Sequence, residues 1–98
     1  MPRNVIERDL PAGLTDDEIE DAVRRAIAVN AGQPGLRWLH SNLTVDRRKF
    51  FCEYEAPTPD AVREAARLAE IPCDRVTEVV EVRADQYTLS GSSGRRGD

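Results

Sequence analysis

The chain has one histidine, one tryptophan and two cysteines, and the first two lie with one cysteine in residues 37–57, RWLHSNLTVDRRKFFCEYEAP. Imidazole nitrogen and cysteine sulfur ligate transition metals or serve as base and nucleophile. The chemistry open to this protein therefore depends on which of Trp38, His40 and Cys52 share a face. No catalytic motif surrounds them, which favours a protein that is not an enzyme.

These residues are expected to lie on a β-hairpin. Two segments, 36–45 and 50–56, are rich in β-branched and aromatic residues, and a polar turn separates them. A turn symmetric about its two central arginines places His40 opposite Glu55. The same register pairs Asn42 with Glu53 and Thr44 with Phe51.

Side chains alternate between the two faces of each strand. One face, expected beneath the helices, receives Leu39, Leu43, Val45, Phe50, Cys52 and Tyr54. The other receives Trp38, His40, Asn42, Phe51, Glu53 and Glu55. Cys52 and His40 then lie on opposite faces and cannot ligate one ion or act as nucleophile and base. Cys52 and Cys73 are interpreted as two separate reduced thiols, with Cys73 the more exposed.

Acidic residues are expected to surround the histidine. The first strand lies beside the third in the expected sheet, so Glu7, and with it Asp9, comes near Glu53 and Glu55. An imidazole among carboxylates suits nickel, zinc, cobalt or copper. We therefore predict a divalent transition-metal site made of His40, Glu55, Glu53 and Glu7. The alternative for the same residues is a solvated strand face with one cross-strand ion pair.

Capping residues and periodicity predict the elements that position this hairpin. Thr15 and Glu18 form a capping box before an apolar stripe, which predicts a helix over residues 16–31 with that stripe facing a core. Thr58 followed by Pro59 predicts the start of a second helix. The expected strands are residues 4–8, 36–45, 50–56 and 75–82.

The order strand, helix, strand, strand, helix, strand predicts an α+β ferredoxin-like βαββαβ sandwich, an antiparallel sheet with two helices on one face. The other sheet face is left uncovered. Trp38 and Phe51 on that face, and valines on both sides of the last strand, indicate that part of it is buried. A second copy is the simplest cover, so we expect a homodimer.

Size and composition indicate the number of domains, the cellular compartment and the classes of partner. The 98 residues predict one domain over residues 1–84 and a flexible tail, rich in Gly and Ser, over 85–98. No apolar run has the length of a membrane span or a signal peptide, so we expect a cytoplasmic protein without membrane contact. A net charge of −4 and a first strand without aromatic residues argue against binding to nucleic acid.

A family resemblance adds to this interpretation, and it is carried by the runs ERDLPAGLTDDEIE, RWLHS, FCEYEAP and IPCDRVTEV. Together they resemble a family of small bacterial domains labelled as of unknown function, DUF4242, some of whose members are described as nickel-binding. The resemblance implies a ferredoxin-like fold, dimerisation and a role in binding or sequestering nickel. His40, Cys52 and Glu55 match the family's pattern, whereas Glu53 stands where an apolar residue is expected.

Two other functions are open to the same fold. One is a small enzyme of the dimeric α+β barrel kind, with His40 as general acid or base beside Glu55. That enzyme requires a closed apolar pocket lined by Trp38, Phe51 and His40. The other is a purely structural or regulatory dimer, which has neither a pocket nor a metal.

Overall fold

The computed structural model describes residues 2–87. It contains β1 (Arg3–Asp9), α1 (Asp16–Ala31), β2 (Arg37–Leu43), β3 (Lys49–Glu55), α2 (Pro59–Ala69), β4 (Arg75–Val79) and a short 3-10 helix (Ala84–Tyr87). All strand pairs are antiparallel, in the spatial order β2-β3-β1-β4. The predicted ferredoxin-like fold is thus confirmed. Most of the predicted tail, residues 88–98, lies outside the described residues.

Both helices begin where their capping residues predict. The Thr15 hydroxyl accepts a hydrogen bond from the Glu18 amide while the Glu18 carboxylate accepts one from the Thr15 amide, which completes the capping box. Thr58 accepts from the Ala61 amide in the same way before Pro59. None of the helices in the described residues is long and apolar enough to cross a membrane.

The core lies between α2 and the centre of the sheet. Ile6 of β1 is fully buried, and it packs in one cluster with the buried residues Leu36, Cys52, Tyr54, Ala56, Val62 and Ala65. Asn4, also on β1, is fully buried, and neither polar atom of its amide has a hydrogen-bond partner. Such an orphaned amide costs about 1–3 kcal/mol, so the chain tolerates a polar defect in its small core.

The hairpin register differs by two residues from the prediction. The turn is centred on Asp46 and Arg47: the Thr44 amide donates to the Lys49 carbonyl oxygen at 2.9 Å, and Arg47 adopts a left-handed conformation with φ of 64°. The predicted pairing of His40 with Glu55 is therefore wrong, and His40 lies opposite Glu53. The correct register likewise places Asn42 opposite Phe51, and Thr44 opposite Lys49.

An irregularity in β2 moves one end of that strand to the other face. The register shifts between Trp38 and His40, as at a β-bulge, so Trp38 pairs with Tyr54 and lies on the helix side of the sheet. The prediction that Trp38 shares the uncovered face with His40 is wrong. Val45, predicted to be part of the core, is fully exposed because it belongs to the turn.

The first helix and the last strand pack less than predicted. The apolar stripe of α1 was expected to face a core, yet none of the residues of α1 is buried. The stripe instead borders a cleft between α1 and the sheet. The last strand ends at Val79, and the valines beyond it, Val80 and Val82, are exposed.

Candidate functional site

The sheet face away from the helices, here called the open face, carries its side chains in rows that run across the four strands. One row contains Arg37, Glu55, Arg3 and Val79. The next contains His40, Glu53, Val5 and Thr77. The third contains Asn42, Phe51, Glu7 and Arg75. All four residues of the predicted metal site are therefore on the open face.

His40 and Glu53 are two predicted ligands whose side chains face each other. The Nε2 atom of His40 lies 3.4 Å from Oε1 of Glu53 across the β2–β3 pair. The His40 side chain is 58% exposed and that of Glu53 is 18% exposed, so the pair is reachable from solvent on the imidazole side. An imidazole nitrogen and a carboxylate oxygen at this separation can both reach one metal ion after small rotations of the side chains.

A neighbouring arginine holds the two glutamates of β3. Arg3 donates from Nη1 to Oε2 of Glu53 at 2.8 Å, and its Nη2 lies 3.9 Å from Glu55. Arg3 also contacts Glu81 at 2.8 Å, and hydrogen bonding to Glu53 is the main cause that raises the pKa of Arg3 above its ordinary value. Glu55 has a second cation, Arg37, at 3.4 Å. Both carboxylates are therefore already neutralised by arginines.

The fourth predicted ligand, Glu7, lies one row away from the His40–Glu53 pair. Its carboxylate forms an ion pair with the ammonium group of Lys49, which also lies 3.1 Å from Asp9. Hydrogen bonds to Glu7 and then to Asp9 raise the pKa of Lys49 above its ordinary value. Lys49 thus stays charged and competes with a metal ion for the Glu7 carboxylate.

Within residues 2–87, no group of three or more His, Cys, Asp and Glu side chains is arranged to hold a metal ion. One copy of the chain therefore supplies the His40–Glu53 pair and two further carboxylates that are engaged elsewhere. Sequence reasoning missed Arg3 and Lys49, the cations between these carboxylates. The sequence did carry a signal for their position, since residues two apart in a strand point to the same face. Arg3 is an even number of positions from Glu7 in the first strand, and Lys49 is an even number of positions from Glu53 and Glu55 in the third.

Cys52 lies on the core side of the sheet and Cys73 is the more exposed of the two cysteines, as the sequence predicted. Cys52 is buried in the core on the helix side, and Cys73 is half-buried in the loop after α2. Both are free thiols, and burial raises the pKa of Cys73. A raised pKa leaves less thiolate at neutral pH, so Cys73 is not prepared as a nucleophile or metal ligand. Cys52 is enclosed in the core.

An α+β barrel enzyme would need a pocket lined by Trp38, Phe51 and His40. The described residues of one chain do not bring these three side chains together. Trp38 borders the cleft on the helix side, together with Phe50 and Tyr54. His40 and Phe51 point to the opposite face. The bulge in β2 thus separates the tryptophan from the histidine.

Comparison with known proteins yields a family and a fold. A family model described as nickel responsive protein SCO4226-like matches residues 5–79. The crystal structure of SCO4226 from Streptomyces coelicolor A3(2) superposes with a TM-score of 0.73 and 18% sequence identity, covering 83% of this chain and 99% of that chain. A search of curated proteins finds no match. The structural likeness supports the ferredoxin-like fold, and the family match confirms the resemblance to small nickel-associated domains.

Proposed function

The chain belongs to the SCO4226-like family of nickel responsive proteins, and from this premise we propose that it is a cytoplasmic homodimer that binds nickel or a similar divalent transition metal. Its role would be sequestration or homeostasis of the metal rather than catalysis. The observation that carries the proposal is the contact of 3.4 Å between His40 Nε2 and Glu53 Oε1 on the open face.

The donor set fits nickel better than it fits a hard cation. Imidazole is a ligand that zinc, copper, iron and nickel accept, whereas calcium and magnesium prefer sites made only of oxygen ligands. His40 supplies the nitrogen, and Glu53 supplies an oxygen beside it. Glu55 and Glu7 stand in the adjoining rows as further carboxylates.

A second copy would supply the ligands that one chain lacks. In a two-fold symmetric dimer each residue meets its counterpart or a fixed partner, so two His40–Glu53 pairs can converge on one ion. The open face also carries three half-buried apolar side chains, Val5, Phe51 and Val79, which a second copy would remove from water. The same contact that completes the site would therefore stabilise the dimer.

The proposed metal ion would share the Glu53 carboxylate with a neighbouring arginine. A metal ion beside His40 would bind Glu53 through Oε1, while Arg3 holds the Oε2 atom of the same carboxylate. Because a metal cation is attracted to the carboxylates of the open face, we expect its affinity to fall as salt screens the charges.

The test is a calorimetric titration of the untagged chain with nickel chloride at neutral pH, comparing the wild type with His40→Ala. Loss of the only imidazole should lower the affinity by at least about tenfold, since a metal–ligand bond is removed outright. Wild-type binding should also weaken as the pH is lowered, because a protonated imidazole cannot ligate a metal ion. The expected stoichiometry is one nickel ion for two chains.

The matched control is Asn42→Ala, which removes a polar side chain from the same strand and the same face. Its affinity and stoichiometry should equal those of the wild type. Equal heat and stoichiometry in His40→Ala and the wild type would overturn the proposed site, whatever the control shows.

A further inference from the structure

A cleft between α1 and the sheet is unexplained by the metal site, because it lies on the other side of the sheet from the open face. Its volume is about 320 Å³, at the small end of ligand pockets in proteins. The walls are mostly apolar, and they include Leu10, Leu14, Ala22, Ala26, Trp38 and Phe50. The stripe of α1 thus faces a cavity that its own side chains do not fill.

One buried cation borders this cleft. Arg8 of β1 is only 4% exposed, and its guanidinium donates from Nη1 to the Pro72 carbonyl oxygen at 2.6 Å and from Nε to the Cys52 sulfur at 3.5 Å. Within residues 2–87, none of the carboxylates lies within 4 Å of it. A buried charge without a counter-ion is unfavourable, so its presence here calls for a function.

The other charged side chains at the cleft are already engaged. Glu18 caps the first turn of α1, and Asp21 is ion-paired with Arg25. Arg25 also donates from Nε to the Ala69 carbonyl oxygen at 2.8 Å. Among residues 2–87, Arg8 is therefore the cation at the cleft that has no ion-pair partner, and a cation favours an anionic ligand.

We propose that the cleft binds a small organic carboxylate with an apolar body, whose carboxylate is held by Arg8. Guanidinium groups bind carboxylates through charge-assisted and often paired hydrogen bonds, which are stronger in an apolar surrounding. The apolar walls suit an aliphatic or aromatic body. They disfavour a polyanion such as a nucleotide, since Arg25, the other cation at the cleft, is already paired with Asp21. The proposal is independent of nickel binding, because it uses neither His40 nor the open face.

The chain carries its own probe for this ligand, since its only tryptophan, Trp38, lines the cleft. The full chain is titrated with decanoate below its micellar concentration, and with decanol as the uncharged counterpart, while the tryptophan fluorescence is recorded. We expect a saturable change with decanoate and at least about tenfold weaker binding of decanol, because decanol cannot form the charge-assisted bonds. His40→Ala should bind decanoate as the wild type does, which separates this test from that of the metal site.

Two variants and one control test where the ligand binds and whether the charge of Arg8 is needed. Ala22→Phe fills the cleft from α1 and should abolish the fluorescence response, whereas Ala28→Phe, on the exposed side of the same helix, should leave it intact. Arg8→Met should bind decanoate and decanol equally, and circular dichroism establishes that each variant is folded. If Arg8→Met does not fold because Arg8 is buried, the comparison of Ala22→Phe with Ala28→Phe tests the proposal by itself.

Three results would overturn the proposal. These are no saturable response to decanoate in the wild type, equal affinity for decanoate and decanol, and an unchanged response in Ala22→Phe. The last would mean that decanoate binds as an adventitious additive elsewhere on the chain.

Discussion

Phe51→Glu is expected to convert the proposed homodimer to a monomer. Phe51 lies at the centre of β3 on the open face, between Asn42 of β2 and Glu7 of β1. The substitution removes an aromatic anchor from the proposed interface and places a new carboxylate beside Glu7, where a second copy would bring the same charges again. A buried unpaired charge costs several kcal/mol, so the dimer dissociation constant should rise by about a hundredfold or more.

Sedimentation velocity over a dilution series measures this change. The matched control is Leu68→Glu, which introduces the same charge at an exposed leucine of α2, in the helix layer. The control should sediment as the wild type does, because α2 is remote from the open face. The proposed interface would be wrong if Phe51→Glu and the wild type had the same mass at every concentration, or if Leu68→Glu alone dissociated.

Ile6→Ala is expected to cost about 2–5 kcal/mol of the free energy of unfolding. Ile6 is fully buried at the middle of β1, which pairs with both β3 and β4, and it is among the largest side chains with no exposed surface. Its truncation removes buried methyl groups and leaves a void between the sheet and α2. In a domain of this size the loss is a large share of a total stability of about 5–15 kcal/mol.

Equilibrium unfolding in urea, followed by circular dichroism, gives the free energy of unfolding for comparison. Val45→Ala is the control, because Val45 is an apolar residue that lies fully exposed in the hairpin turn. Its effect should stay within about 0.5 kcal/mol. A loss below about 1 kcal/mol for Ile6→Ala would mean that the core is not organised around β1.

Helix ends were predictable because the signals that set them are local. Thr15 and Glu18 bond to each other's backbone amides within one turn, and the predicted and observed bounds of α1 agree at both ends. Thr58 and Pro59 fix the start of α2 in the same way. Neither case requires knowledge of what packs against the helix.

The faces of the hairpin were predictable in part. The register error of two residues left His40, Glu53 and Glu55 on the predicted face, because side chains alternate with a period of two. Trp38 lies on the face opposite to the predicted one because a bulge inserts a single residue into β2. No turn or capping motif in the sequence indicates this bulge. The presence of a histidine among carboxylates was therefore predictable, but its partner was not.

The ion pairs on the open face and the empty space behind the sheet depend on contacts far apart in sequence. Arg3 reaches Glu53 across 50 residues, and Lys49 reaches Glu7 across 42. Arg8 is buried because it follows Asn4 and Ile6 on the inward side of β1, where an alternating pattern alone predicts an apolar residue. Such departures from the local pattern are where functional sites are expected.

An anomalous difference map at the nickel absorption edge, from crystals of the nickel-loaded chain, tests the proposed metal site. We expect a peak on the open face within about 2.1 Å of His40 Nε2, with Glu53 in the same coordination shell and a second copy completing it. A peak at Cys73, at the α1 cleft or at a surface without His40 would contradict it.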